Sequence, residues 1–207
     1  MTIIGLGDSI LLQTNHIIKR LFVEQGHTYL HPDKSENGNH WHDQGETNVG
    51  ITANLNGYLD KIQETHGKVD VLLVHVGLHD IKRPDATGRP QREEEVYDKD
   101  VRSAMVRAAS LARHVFFTTI PRVLDAHHNS FNTGMKRFDK DAVAYNAVMR
   151  RHADGLGIHI IDTHTLFDIR EDDLADHVHL NRESEHIYAR LLVDSVMAVL
   201  EKEMTLS

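Results

Sequence analysis

The stretch Thr2-Ile3-Ile4-Gly5-Leu6-Gly7-Asp8-Ser9-Ile10 decides the fold. Ile3, Ile4 and Leu6 make a short apolar run, the composition of a strand buried on both faces. Gly5 and Gly7 permit close backbone approach or an unusual φ, and Asp8-Ser9 follows at once. An amphipathic run then begins, with Ile10, Leu11, Ile17, Ile18, Leu21 and Phe22 near helical spacing. The reading is strand, tight turn, helix, with Ser9 at the helix entrance. A hydroxyl there lies beside unpaired backbone N–H groups and the positive end of the helix dipole, which favours developing negative charge. Taken alone, Asp8 or Ser9 reads equally well as an ordinary N-cap.

Beyond this turn the pattern repeats. Helical periodicity covers about 11–24, and 27–31 reads as a short strand. A polar segment at 32–43 precedes a helix over 49–66, closed by Gly67. Residues 69–76 form the clearest buried strand and run into Gly77-Leu78-His79-Asp80. A charged, Pro- and Gly-bearing loop at 81–95 leads to a helix over 94–113, then a strand at 114–120 stopped by Pro121. A second polar loop, 122–134, precedes a helix over 138–156, a strand at 158–162 and a closing helix over 181–203. Five βα units predict one domain over 1–207: a three-layer α/β/α sandwich around a five-stranded parallel sheet. Ligands in such sheets bind outside the carboxyl ends of the strands, where Ser9, Gly45, His79, Asp176 and His179 all fall.

Composition narrows the function. The formal charge of −8, with acids scattered among bases, argues against a nucleic-acid footprint. Without Cys there is no thiol nucleophile, disulfide framework or thiolate-held zinc. No apolar run approaches membrane-spanning length and the N-terminus shows no signal-peptide pattern, so the chain as given is expected in the cytoplasm. Seventeen histidines are the one oddity. His40-Trp41-His42-Asp43 only superficially resembles a ligand set, and no metal or organic cofactor is expected.

Asp176-His177-Val178-His179 sets a carboxylate and an imidazole three residues apart, a spacing that at a helix start puts both on one side of a turn. An ionised Asp176 holding the Nδ1–H of His179 would leave Nε2 outward as a base, and Ser9 would complete a nucleophilic system. Alone, Asp-x-x-His reads as a surface cap or salt bridge. Acyl transfer also needs donors for an oxyanion. The candidates are the N–H of Ser9, the N–H of Gly45 (with Gly50 as the alternative) and a ring N–H of His79. Gly45 could equally be a turn glycine, and His79 a hydrogen-bonded loop histidine.

The ordered set Gly7-Asp8-Ser9, Gly45-Glu46-Thr47, Gly77-Leu78-His79-Asp80 and Asp176-His177-Val178-His179 resembles the SGNH (GDSL-type) hydrolase superfamily. The likeness extends over nearly the whole chain, including Tyr145-Asn146 and His179-Leu180-Asn181. It implies a flavodoxin-like sheet of order 2-1-3-4-5, Ser9 as nucleophile and oxyanion donor, Gly45 as second donor, and Asp176 and His179 completing the triad. Position 79 departs from the pattern: the family's Gly-x-Asn-Asp reads Gly77-Leu78-His79-Asp80, and asparagine is the usual third donor. A neutral histidine donates one hydrogen bond only if the correct ring nitrogen carries the proton.

These residues predict ester hydrolysis through an acyl-enzyme. The expected substrate is a small molecule or carbohydrate carrying a short acyl group, acetyl foremost, because the bordering loops are polar and Trp41 could stack on a sugar. Trp41 serves equally as a hydrophobic clasp for its loop. The alternatives are a lipase, lysophospholipase or thioesterase of the same fold, an acyltransferase, or a catalytically weak binding module.

Overall fold

A computed structural model of the chain describes residues 1–31 and 48–205. Gly45 and Trp41 lie outside the described residues. In chain order the elements are β1 (Thr2–Gly7), α1 (Ser9–Glu24), β2 (Thr28–Leu30), α2 (Leu55–His66), β3 (Val69–His75), β4 (Arg83–Pro84) and α3 (Glu94–Leu111). They continue with β5 (Ala112–Thr118), α4 (Asp125–Ser130), β6 (Met135–Lys136), α5 (Asp139–Asp154), β7 (His159–Ile161), α6 (Thr163–Leu166) and α7 (Arg182–Met204).

The apolar runs become a five-stranded parallel sheet, β2-β1-β3-β5-β7, which is the order 2-1-3-4-5 when these five strands are counted alone. β1 and β3 lie at its centre, in register from Ile3 opposite Val71 to Gly7 opposite His75. Their side chains are buried on both faces, as the unbroken Ile, Leu and Val runs require. α1 packs against α7 on one face, while α2, α3 and α5 lie side by side on the other. No helix among the described residues is long and apolar enough to cross a membrane.

Three departures from the sequence reading have local causes. The helix expected over 49–66 starts later, as one 3-10 turn at Thr52–Asn54 followed by α2. Gly50 is left-handed at φ +66°, and both the N–H and the hydroxyl of Thr52 donate to the Asp80 carboxylate. The chain there is tied to the next loop instead of to a helix. The polar loop at 122–134 contains α4 and leads into β6, which pairs antiparallel with β4. Short polar elements of this kind leave no apolar periodicity to read. α3 passes into β5 with no linking residue, so the strand starts at Ala112, two residues before the expected position.

At the end of β1, Gly7 is held in close quarters. A Cβ there would stand 2.6 Å from the Leu11 Cβ and 2.9 Å from the His75 carbonyl oxygen, one of them backbone that cannot step aside. Gly7→Ala should therefore destabilise the fold by about 1–3 kcal/mol, as overpacking of a dense interior does. Thermal unfolding will read this as a lowered Tm, and an unchanged Tm would show that β1 and β3 can part.

Candidate active site

The turn after β1 separates two roles that its sequence left open. Asp8 is the N-cap: it is extended at φ −84°, and its Oδ1 accepts from the Ile10 N–H at 3.1 Å. Ser9 is the first residue of α1, and its hydroxyl pairs elsewhere. His179 Nε2 stands 3.0 Å from Ser9 Oγ, across 170 residues of chain, and His179 Nδ1 stands 2.7 Å from Asp176 Oδ2. The second Asp176 oxygen accepts from the N–H groups of Val178 and His179, both at 2.8 Å.

Asp176 and His179 are therefore set by a tight turn, not by a helix start as their spacing suggested. α7 begins only at Arg182, capped by Asn181, whose side chain accepts from Glu183 and Ser184. Burial alone would raise the Asp176 pKa. The N–H donors of His179 and Val178 and the His179 ring outweigh it and bring the carboxyl down to about 2. Asp176 is thus ionised throughout the neutral range, and it selects the His179 tautomer with Nδ1–H facing it. That leaves Nε2 to accept from the Ser9 hydroxyl, which is the geometry a general base needs.

His79 follows β3 in a turn and is largely buried. Burial first, then the charge of Lys82, brings its pKa down to about 4, so the ring is neutral at working pH. Lys82 Nζ lies 3.0 Å from His79 Nδ1. Gly50 borders the same ring, since a Cβ added there would come 4.0 Å from Nδ1. Its own N–H is already given to Asn48 Oδ1 at 2.8 Å.

Two residues that sequence reasoning missed, Arg137 and His128, hold these loops together. Arg137 is buried, and its Nε donates to the Leu78 carbonyl at 2.9 Å, just ahead of His79. Its Nη1 lies 3.4 Å from Nε2 of His128, a buried histidine of α4. His128 Nδ1 in turn stands 3.0 Å from the carbonyl of His177, inside the triad turn. Burial draws the Arg137 pKa down to about 10, which leaves it charged at neutrality, and brings His128 to about 4. His128 is thus neutral, donating from Nδ1 and presenting its Nε2 lone pair to the guanidinium. The only sequence signal was a strongly basic residue, Arg137, beside an element boundary.

An apolar recess adjoins the same turn. Ile10, Leu78, Val123, Phe167, Val178 and Leu180 contribute to its wall, and its free volume is about 20 Å³. Among the described residues, one group has the makings of a metal-ligand set: His114, His159 and Glu203, whose ligand atoms lie within 4.8 Å of one another. His114 and His159 stand near the amino ends of β5 and β7, so this group lies at the sheet edge opposite Ser9.

The model of the GDSL-like Lipase/Acylhydrolase family matches residues 6–186. Among solved structures, the lipase/acylhydrolase from Enterococcus faecalis superposes with TM-score 0.67 at 13% identity, covering 94% of each chain. The acetyl xylan esterase AlAXEase gives 0.68 at 17% identity, over 95% of this chain and 100% of that one. Est24, a carbohydrate acetylesterase from Sinorhizobium meliloti, gives 0.63 at 14% identity, over 96% and 99%. No curated protein matches the chain significantly.

Asp80, which ties the Gly50 segment to the His79 turn, sets up a pH test. Its burial, only partly offset by the Thr52 donors, pushes its pKa up to about 7. Between its ordinary carboxylate value and about 7, the folded chain holds a proton that the unfolded chain has released. Stability must then fall as pH rises through that window. Asp80→Asn should flatten this slope in urea unfolding between about pH 4 and pH 7. An unaltered slope would mean that Asp80 is ionised in the fold.

Proposed function

The chain belongs to the GDSL-like lipase/acylhydrolase family and is a carboxylic ester hydrolase, and from that premise we propose that it works through an acyl-enzyme on Ser9. The substrate we propose is a small molecule or carbohydrate from which it removes a short acyl group, acetyl foremost. The observation that carries the mechanism is the unbroken chain Ser9 Oγ, His179, Asp176, at 3.0 and 2.7 Å. His179 Nε2 takes the Ser9 proton as Oγ attacks the ester carbonyl, while Asp176 stabilises the imidazolium that forms. The tetrahedral oxyanion is met by the Ser9 N–H, at the amino end of α1, and by the neutral ring of His79. His179 then protonates the leaving alcohol, takes a proton from water, and the acyl group departs as the acid.

For the remaining donor we propose Gly50, with Gly45 the alternative. Gly50 borders His79 and shares the segment that Thr52 fastens to Asp80. Its N–H reaches a substrate once the Asn48 amide yields it. Trp41 keeps its proposed place as a platform for a sugar face.

The short acyl group is favoured by the recess beside the triad turn. Its wall is mostly apolar, with Arg122, His128 and His177 also contributing, and about 20 Å³ holds little more than a water-sized group. A methyl group suits that space and an octanoyl chain does not. The acetyl xylan esterase and carbohydrate acetylesterase that share the fold suit the same reading.

The test is hydrolysis of p-nitrophenyl esters from acetyl to octanoyl, with wild type and Ser9→Ala side by side. Activity should depend on Ser9, decline beyond short chains, and be matched by fluorophosphonate labelling of Ser9. His79→Ala should lower kcat by roughly a hundred- to a thousandfold, the range for one oxyanion donor. Unimpaired turnover by Ser9→Ala would overturn the mechanism. Activity rising toward octanoyl would keep it and move the substrate to lipids or thioesters.

A further inference from the structure

Exchanging an asparagine donor for histidine raises a problem that asparagine never has. A carboxamide NH2 donates in every state, whereas a neutral imidazole donates from one nitrogen and accepts at the other. His79 can hydrogen-bond an oxyanion only if its proton sits on the nitrogen that faces the substrate. Something must choose between the tautomers.

We propose that Lys82 is the positioning residue that makes His79 an oxyanion donor, its ammonium holding the imidazole in the tautomer with the proton on Nε2. The inference rests on the Ser9 acyl-enzyme reading above. Lys82 Nζ stands 3.0 Å from Nδ1. An ammonium has three hydrogens and no lone pair, so the nitrogen it faces at that distance must bear the lone pair. With Nδ1 bare, the single proton of the neutral ring is on Nε2, which meets no hydrogen-bond partner among the described residues. The opposite tautomer would point two hydrogens at each other inside a half-buried turn.

The surroundings fix the pair. His79 and Lys82 share one turn, in which the Lys82 N–H donates to the His79 carbonyl at 3.3 Å. Ahead of it, Arg137 holds the Leu78 carbonyl. Lys82 also guards against the wrong charge: burial and its ammonium keep His79 from becoming an imidazolium near neutrality. The same burial, with the Arg137 charge behind it, brings Lys82 itself down to about 8. Asp8, Arg137, His79 and His177 are the titratable groups that feel this ammonium, from the β1–α1 turn, the segment after β6, its own turn and the triad turn. Above about pH 8 Lys82 loses its proton, a neutral amine can accept as well as donate, and the Nδ1–H tautomer becomes accessible.

The experiment is a double-mutant cycle on p-nitrophenyl acetate, with Ser9→Ala as the blank, joined to 15N spectra of the imidazoles of the full chain. Lys82→Met should lower kcat by about tenfold or more, within the loss for one oxyanion donor, and leave KM within about twofold. In the His79→Asn background the same change should cost less than about threefold, because the carboxamide needs no tautomer. The alkaline fall in kcat near pH 8 should vanish in that background too. The wild-type spectrum should show the His79 proton on Nε2. Equal loss in both backgrounds would mean that Lys82 acts by charge or by holding the fold, and would overturn the inference. A wild-type proton on Nδ1 would overturn it whatever the kinetics, and needs no variant to fold. Full activity in Ser9→Ala would instead sink the acyl-enzyme reading, while the ring spectrum would still decide the tautomer.

Discussion

A fully buried carboxylate at the end of the first strand is the constraint on which the rest depends. Asp8 caps α1, donates its backbone N–H to the His75 carbonyl at 3.0 Å, and faces His75 Nδ1 at 3.3 Å, not aligned as a hydrogen bond. His75 Nε2 stands 2.8 Å from the Tyr188 hydroxyl of α7. One side chain thus joins the turn after β1, the end of β3 and the helix that follows the triad. Burial would push Asp8 up, yet the imidazole of His75, with His79 and the Ile10 N–H, holds it below the ordinary carboxylate range. An uncompensated charge at this depth would cost several kcal/mol, so the turn bearing Ser9 has little freedom to rearrange. Because Asp8 does the capping, Ser9 is spared that role and its hydroxyl is left to His179.

The site then needs two loops, far apart in sequence, held at fixed distance from that turn. Asp80 grips Thr52 and so fastens the Gly50 segment to the His79 turn. Arg137 spans the other gap, reaching the Leu78 carbonyl directly and the His177 carbonyl through His128. Each holding group ends on a backbone atom, which fixes chain position whatever the neighbouring side chains are. A buried guanidinium, with five donors in a rigid plane, suits bridging a carbonyl and an imidazole better than an ammonium would. The turns that carry Ser9, His79 and His179 are thereby held relative to one another by contacts that no substrate has to form.

Much of this was legible in the chain, for identifiable reasons. Strands buried on both faces have one signature, the continuous apolar run, and β1 and β3 carry it plainly. Parallel connection then forces Ser9, His79 and His179 to one edge without any knowledge of contacts. The Asp176 and His179 spacing implies proximity, though the device is a tight turn closed by the Asp176 carboxylate and not a helical face. What stayed hidden was information carried by single polar contacts over long separations. Nothing in the letters around Thr52 announces Asp80, 28 residues on, and so the periodicity predicts a longer helix than the one that forms. Arg137 and His128 read as loop residues because their burial comes from α4 and β6, elements too short and too polar to show periodicity.

The histidine at position 79 shows how a local rule can be broken and repaired within one turn. A carboxamide brings its donor by covalent structure, so its surroundings have only to orient it. An imidazole brings a choice, and the environment must make that choice for it. Burial suppresses the doubly protonated ring but does not distinguish the two neutral tautomers. A donor without lone pairs at one nitrogen does distinguish them, and Lys82, one turn ahead at 3.0 Å, is such a donor. The function of this position is therefore not readable from residue 79 alone. On the reading proposed above, it belongs to the pair His79 and Lys82, whose second member has to remain charged for the first to present its proton.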